Sequence, residues 1–485
     1  MSTLDKDLAS IQQARDLIRA AKVAQQRLAT FTQAQVDDIC RAMVRAGFEH
    51  ADDLARHAVT ETGMGVPEDK ALKNRFATDT VWQAIKDLKT VGIIGDYPDT
   101  GITEVGVPLG VIAALIPTTN PTSTAMFKAI IAVKSGNALV ISPHPSARAC
   151  TIAAARLVAA AGEAAGLPAG TISCLETPTM EATHELMTHP DVALILATGG
   201  TAMVKAAYSS GKPAIGVGPG NGPAYIERTA DIPAAVKRIM DSKTFDNGTI
   251  CASEQSVVTE DCIKGQVIAE FTRQGGYFLN EAEKAQVGAI LMRASGTMNP
   301  AIVGRSATEI ARLAGITVPG GTRVLLGPET EVGAAYPYSR EKLCPVLGFY
   351  SQPDWLSACE LCIRILLHEG AGHTMTIHSR DEGVIREFAL KKPVSRLLVN
   401  TAASLGGVGA TTGLNPSLTL GCGAIGGNAS SDNIGPLNLI NIRRVARGRR
   451  ELADLRPAGA GSTEADTERL VRLVLEQLIG ACAMT

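Results

Sequence analysis

Gly110-Val-Ile-Ala-Ala-Leu-Ile116 is a short, continuous apolar run that reads as a buried strand, and the segments around it set the fold class. Outward from it, Thr122–Ser135 reads as a helix, Ala138-Leu-Val-Ile-Ser142 as a second strand and Ala147–Gly166 as a second helix. Thr171–Leu175, Ala193-Leu-Ile-Leu196 and Ala214-Ile-Gly-Val217 follow as strands, separated by helices over Met180–His189 and Gly200–Ser209. Strands alternating with helices of this length predict a parallel, doubly wound sheet. Upstream, residues 5–90 read as helix after helix, with Leu17, Ile18, Val23 and Leu28 at helical spacing. Gly and Pro punctuation makes Ile93–Val105 an extended excursion. A second α/β block runs from about Ile232 to Ser404, opened by a helix through Met240. A Gly-rich stretch follows (Gly406–Gly427), then Pro436-Leu-Asn-Leu-Ile440 and a Pro/Gly/Ala linker over 451–462.

At 485 residues the chain suits about three domains or one two-lobed enzyme. Hydrophobic content of 45%, charged content of 19% and 48 glycines describe an ordered globular protein. A net charge of −2 gives no electrostatic case for nucleic acid or an anionic membrane as partner. Ten cysteines at irregular spacing do not form a disulfide framework and fit a reducing compartment. The N-terminus carries acids early and has no apolar core of a signal peptide, and no uninterrupted apolar run is long enough to span a bilayer. A soluble, intracellular protein is expected.

Chemistry enters with Phe245-Asp-Asn-Gly-Thr-Ile-Cys251-Ala-Ser-Glu-Gln255, where a cysteine follows a Gly-containing turn. This segment resembles the nucleophile segment of the aldehyde dehydrogenase superfamily, most closely its coenzyme-A-acylating branch. Ile116-Pro-Thr-Thr-Asn-Pro121, Gly216-Val-Gly-Pro-Gly-Asn-Gly-Pro223 and Glu341-Lys-Leu-Cys-Pro-Val346 occur in the matching order. The resemblance covers roughly residues 5–450. It implies an aldehyde dehydrogenase-like α/β fold: two doubly wound domains, for cofactor and catalysis, plus an oligomerisation excursion. The implied boundaries are 1–231 for the cofactor domain, with the excursion near 93–105, and 232–404 for the catalytic domain. Residues 405–450 return to the cofactor and oligomerisation region, 451–462 are the linker and 463–485 a tail helix.

An ordinary cysteine thiol titrates near 8.5, so its thiolate must be favoured by dipoles or neighbouring charge. Attack on an aldehyde creates an oxyanion that needs preorganised donors. By resemblance these are the Asn120 side chain and the Cys251 backbone N–H. The resemblance also assigns Glu341 to the nicotinamide ribose and Ser142 and His144 to the adenosine end. Thr198, Gly199 and Gly200, at a strand-to-helix junction, meet the pyrophosphate, and Thr118 and Gly218 complete the cofactor set. NAD is the implied cofactor. No carboxylate stands at Ser142 or Pro145 to repel a 2′-phosphate, so NADP tolerance is a second expectation. Val204 replaces the second glycine of the pyrophosphate loop. Hydrolytic relatives activate water with a glutamate where this chain has Val217, which argues for transfer to coenzyme A.

No metal site is expected: Cys359-x-x-Cys362 has no second cysteine or histidine pair nearby. His373 and His378 read as strand positions near the active-site floor, with a structural or acyl-contact role ahead of general base. The arginines from Arg443 to Arg450 read as a solvated run or an inter-subunit contact. The resulting expectation is oxidation of propionaldehyde or acetaldehyde with NAD and coenzyme A through a Cys251 thioester. The alternatives are an acylating sulfoacetaldehyde enzyme, a non-acylating one giving the free acid, and a silent scaffold. With no alcohol dehydrogenase half before Thr485, a bifunctional enzyme is not expected. A homodimer or homotetramer is implied. Thr463-Glu-Ala-Asp466 resembles a capping box, and Leu470, Val471, Leu473, Val474 and Leu478 share one face. This tail resembles the encapsulation peptides of bacterial microcompartments, with packing on its own domain or on an oligomer neighbour as the equal alternative, so the expected location is cytoplasmic, with a microcompartment lumen as the finer alternative.

Overall fold

The run around Ile112 is the central strand of a five-stranded parallel sheet in the computed structural model, which describes residues 5–455 and 464–482. From edge to edge the strands are Ile172–Cys174, Ala138–Pro143, Val111–Ile116, Val192–Thr198 and Ala214–Val217. Ile112, Ala114 and Ile116 pack into one apolar cluster with Met126, Phe127 and Ile130. Val111, Ala113 and Leu115 pack into another with Ala14, Ile18 and Leu186. Neither face meets water, which is why the strand is written as a continuous apolar run and not as an alternating one. Helices Pro121–Lys134 and Arg148–Ala164 contribute to the first cluster, and Lys6–Leu28 and Met180–Thr188 to the second.

Residues 6–85 carry the helices Lys6–Leu28, Gln33–Glu49, Ala51–Thr62, Pro67–Arg75 and Val81–Ile85, with a π turn at Phe76–Thr80. Ile18 and Leu28 are buried, but Val23 is exposed. Five residues on from Ile18 lies about 140° round a helix, on its far side.

The second sheet has seven parallel strands in the order Gly276–Phe278, Val324–Pro328, Val346–Gln352, Ser256–Glu260, Pro223–Ile226, Gly372–His378 and Val394–Val399. The chain divides into two compact units, and both parallel sheets belong to the one formed by Gly106–Asn441 and the residues up to Gly92. The other unit combines Ile93–Val105 with the chain from Ile442 onward. It carries the three-stranded sheet Gly92–Tyr97, Ile102–Pro108 and Ile440–Ala446, where Arg444 pairs with Glu104 at 3.0 Å. Its helix Glu464–Cys482 exposes Leu470, Val471, Leu473, Val474, Leu475 and Ile479. Residues 456–463, hence most of the linker and the capping Thr463, lie outside the described residues, as does the side chain of Leu478. Among the described residues no helix is long and apolar enough to cross a membrane.

Candidate active site

Parallel strands send all their carboxyl-terminal loops to one edge of a sheet. Thr118 and Asn120 follow Val111–Ile116, and Ser142 and His144 close Ala138–Pro143. Thr198, Gly199 and Gly200 end Val192–Thr198, and Gly218 follows Ala214–Val217. All therefore sit on the carboxyl edge of the five-stranded sheet. From Val111–Ile116 the chain first builds two strands to one side, then returns to build two on the other. Thr118 and Thr198 thus flank the topological switch point, where open α/β sheets take their ligands.

The second sheet contributes from its opposite edge. Glu341 precedes the strand Val346–Gln352, Cys251 precedes Ser256–Glu260, Gly220 precedes Pro223–Ile226, and His373 lies at the start of Gly372–His378. These four strands are consecutive neighbours in the sheet.

Cys251 is delivered by the 3₁₀ turn Phe245–Gly248, in which Asp246 (φ 47°) and Asn247 (φ 51°) are left-handed. Such a conformation costs about 1–3 kcal/mol in a non-glycine residue and persists only where the surroundings over-determine it. They do at Asp246. Its carboxylate accepts from Val66 N at 2.7 Å, Lys70 Nζ at 2.9 Å, Thr249 Oγ1 at 2.6 Å and Lys73 Nζ, and its own N–H donates to Asp69 at 2.7 Å.

Cys251 Sγ lies 3.2 Å from His373 Nε2, and His373 Nδ1 lies 3.0 Å from Thr374 Oγ1, which also accepts from Arg396 Nε at 3.2 Å. Burial pushes the Cys251 thiol up to about 12 and His373 down to about 3, in each case ahead of any charge effect. Burial thus favours the neutral form of both groups. Desolvation here outweighs Arg396, which acts in the thiolate's favour. His373, expected in a structural or acyl-contact role ahead of general base, stands in reach of the thiol proton.

Asn120 caps the helix Pro121–Lys134, and Nδ2 donates to Thr249 O at 3.1 Å and Thr119 Oγ1 at 3.2 Å. Its Oδ1 accepts from Lys73. Glu341 accepts from Gly220 N at 2.8 Å and is pushed up to about 8, burial being the main cause. Val217 is buried at the end of its strand. The loop after it runs hard against the nucleophile: a Cβ on Gly220 would lie 2.2 Å from the Cys251 carbonyl oxygen.

The groups implied for a dinucleotide fit one in part. Gly200 caps the helix Thr201–Tyr208 without any side-chain cap, so its first N–H groups are available to a diphosphate. Thr198 Oγ1 is buried with no partner among the described residues, and the Cβ positions of Gly200 and Gly218 are open space. At the adenosine end, Ser142 is buried with its hydroxyl bound to Thr183 at 2.9 Å. His144 accepts from Ser146 N at 3.1 Å, and burial holds it below its ordinary value. Thr118 is half-buried at the bend after its strand. The sequence reading missed Lys73, Asp246 and Arg396 altogether. An isolated lysine on a charged helix, an aspartate before Asn-Gly and an arginine in a strand carry no local signal of convergence.

Residues 5–338 match the aldehyde dehydrogenase family. The chain is 46% identical over 436 residues to the bifunctional aldehyde-alcohol dehydrogenase AdhE of Escherichia coli (strain K12), covering 89% of this chain and 49% of that protein. It spans about half the length of that relative. Among solved structures it is similar to a probable aldehyde dehydrogenase from Listeria monocytogenes EGD-e, at 59% identity and a TM-score of 0.92, covering 93% of this chain and 100% of that one. An acetylating aldehyde dehydrogenase from Geobacillus thermoglucosidasius is 52% identical with a TM-score of 0.91, covering 93% and 99%. The chain belongs to the aldehyde dehydrogenase family.

Proposed function

We propose that the chain is a coenzyme-A-acylating aldehyde dehydrogenase that converts a short aliphatic aldehyde, acetaldehyde or propionaldehyde, to its acyl-coenzyme A. The observation that carries this reading is Val217: a buried valine closes the strand end where hydrolysis calls for a carboxylate base. Losing a general base costs a factor of about 10² to 10⁴. A Cys251 thioester would therefore outlast water and wait for a thiol. The acetylating relative from Geobacillus supports the same reading.

Cys251 Sγ attacks the aldehyde carbon as its proton passes to His373 Nε2. Asn120 Nδ2 and the Cys251 N–H donate to the oxyanion, which takes up that proton to give the thiohemiacetal. NAD, held by Thr198, Gly199, Gly200 and Gly218 with Glu341 on the ribose, supplies the hydride acceptor when bound; NADP is the tolerated alternative. Departure of the hydride to that acceptor, with the hydroxyl proton passing to solvent, leaves the acyl group on Cys251. Burial favours the neutral imidazole, the form that can act again in the second half-reaction. There it accepts the proton of the coenzyme A thiol and returns it to Cys251 Sγ as the acyl group leaves.

NADH formation from propionaldehyde and NAD, followed with and without coenzyme A and with identification of the product, tests this. Turnover that requires coenzyme A and yields propionyl-coenzyme A is expected. Sustained release of free acid without it would refute the argument from Val217. Sulfoacetaldehyde in the same assay tests the competing substrate class.

The exposed apolar side chains of Glu464–Cys482 support a docking role for the tail, with a microcompartment lumen as destination and a homo-oligomer as the working form. Truncation before residue 456 should leave turnover intact while abolishing co-purification with shell proteins. Co-purification that survives truncation would sink the docking role.

A further inference from the structure

Three segments converge on one buried carboxylate beside the nucleophile. Lys70 and Lys73, on the helix Pro67–Arg75, are 2% and 4% exposed, and both reach Asp246 Oδ2. Lys70 also donates to Thr119 O at 2.7 Å. Lys73 donates to Asn120 Oδ1 and, at 3.1 Å, to Thr249 Oγ1. Its three N–H bonds are therefore all used: on the carboxylate, on the turn that leads to Cys251, and on the Asn120 amide. Taking an ammonium group out of water costs several kcal/mol, and Asp246, even with Asp69 nearby, does not fully offset that cost for Lys73. Burial accordingly brings Lys73 down to about 8. Apolar side chains would join this helix to the turn with less desolvation, so packing alone does not account for the cluster.

We propose that Lys73 is a positioning residue for aldehyde oxidation: it sets the orientation of the Asn120 amide so that Nδ2, and not Oδ1, faces the oxyanion. This rests on the functional reading above. The two ends of an asparagine amide are nearly equal in shape and opposite in hydrogen-bonding character. An ammonium group can only donate, so it retains Oδ1. Thr249 O can only accept, so it retains Nδ2. Turned over, the amide would set its NH₂ against a cation and its lone pairs against both Thr249 O and the developing negative charge. The second Nδ2 N–H, now donating to Thr119 Oγ1 at 3.2 Å, is the one that switches its hydrogen bond to the oxyanion. Asp246 locks the arrangement, because the carboxylate that holds Lys73 also belongs to the turn bearing Thr249 and Cys251. Donor and nucleophile are thereby referenced to a single charge.

Lys73→Met keeps most of the length of the side chain and removes its donors. The first-turnover rate of NADH formation should fall on the order of 10²-fold, the lower end for loss of one oxyanion donor, with the aldehyde KM little changed. Alkylation of Cys251 by iodoacetamide is a displacement with no oxyanion, and its rate should not move. In an Asn120→Ala background, Lys73→Met should add almost nothing. Lys73→Gln, which retains an N–H donor, should recover part of the rate, and it carries the same readouts if the methionine variant does not fold. Parallel losses in alkylation and NADH formation would mean that the turn had simply shifted, and would overturn the inference. Additive losses in the double variant would do the same. A wild type that forms no NADH would overturn the functional reading, and this inference with it. An active wild type with additive losses would overturn this inference alone.

Discussion

Gly220→Ala adds a single methyl group, and it should cripple the enzyme while leaving it folded. The new Cβ would lie 2.2 Å from the Cys251 carbonyl oxygen, 3.1 Å from its carbonyl carbon and 3.1 Å from His373 Cγ. Real Cβ contacts stay beyond 3.0 Å, so the loop and the nucleophile must part by at least 0.8 Å (3.0 − 2.2). Gly220 is not among the positive-φ residues, so the cost is steric and not conformational. Both sides resist the movement. Gly220 N is bound to Glu341, Asn221 Nδ2 donates to Ser339 O at 2.7 Å, and Gln255 N donates to Gly222 O at 2.9 Å. Overpacking of this kind costs about 1–3 kcal/mol, readable as a lowered urea midpoint. Catalysis should lose more, since a misplacement of about 1 Å can cost roughly 10²-fold. The assay is stopped-flow NADH formation at saturating aldehyde and coenzyme A, paired with urea unfolding. Gly320→Ala, where a Cβ meets nothing within 4 Å, serves as the control. A Gly220→Ala enzyme turning over at the wild-type rate would refute the idea that this loop holds the Cys251 backbone in register.

His373→Ala should slow the NADH burst by about 10² to 10⁴-fold, the usual contribution of a positioned proton acceptor, with partial recovery on adding imidazole; a burst within a few-fold of wild type would remove His373 from the reaction. Glu254 is buried, with Oε1 accepting from Ala403 N at 2.8 Å and Oε2 without a partner among the described residues; burial pushes it from 4.5 up to about 7. The folded chain holds that proton where the unfolded chain has lost it. Its stabilising effect is thus complete below about 4.5 and disappears as pH rises through about 7. Relative to Glu254→Gln, the wild type should lose on the order of 3 kcal/mol of unfolding free energy across that window, and a pH-independent difference in urea titrations would contradict the burial argument.

Much of the architecture was legible because it is local. The strand–helix alternation from Gly110 to Val217 follows from apolar runs bounded by turn residues, and Ala214–Val217 matches the strand read from sequence to the residue. The segment ending in Cys251 and the valine at 217 are likewise local statements. His373 was visible, but a histidine in Gly-His-Thr-Met-Thr-Ile-His says nothing about which strand lies next to it. Ser142 was placed at the cofactor, yet its hydroxyl is turned to Thr183, a partner forty-one positions away that spacing does not reveal.

The chain by itself determines which segments are strands buried on both faces, since apolar content without alternation has no other economical resting place, and it determines that Cys251 is the thiol presented on a turn. Only the tertiary structure decides that thiol's company. The order of neighbours in the seven-stranded sheet lines up the strands that follow Glu341, Cys251 and Gly220 with the one that carries His373. Cys251 and His373 stand 122 residues apart in sequence and 3.2 Å apart in space. The titration of the site is decided the same way, because desolvation depends on everything packed around a group. Burial, which no window of residues encodes, is what favours the protonated thiol and the neutral imidazole.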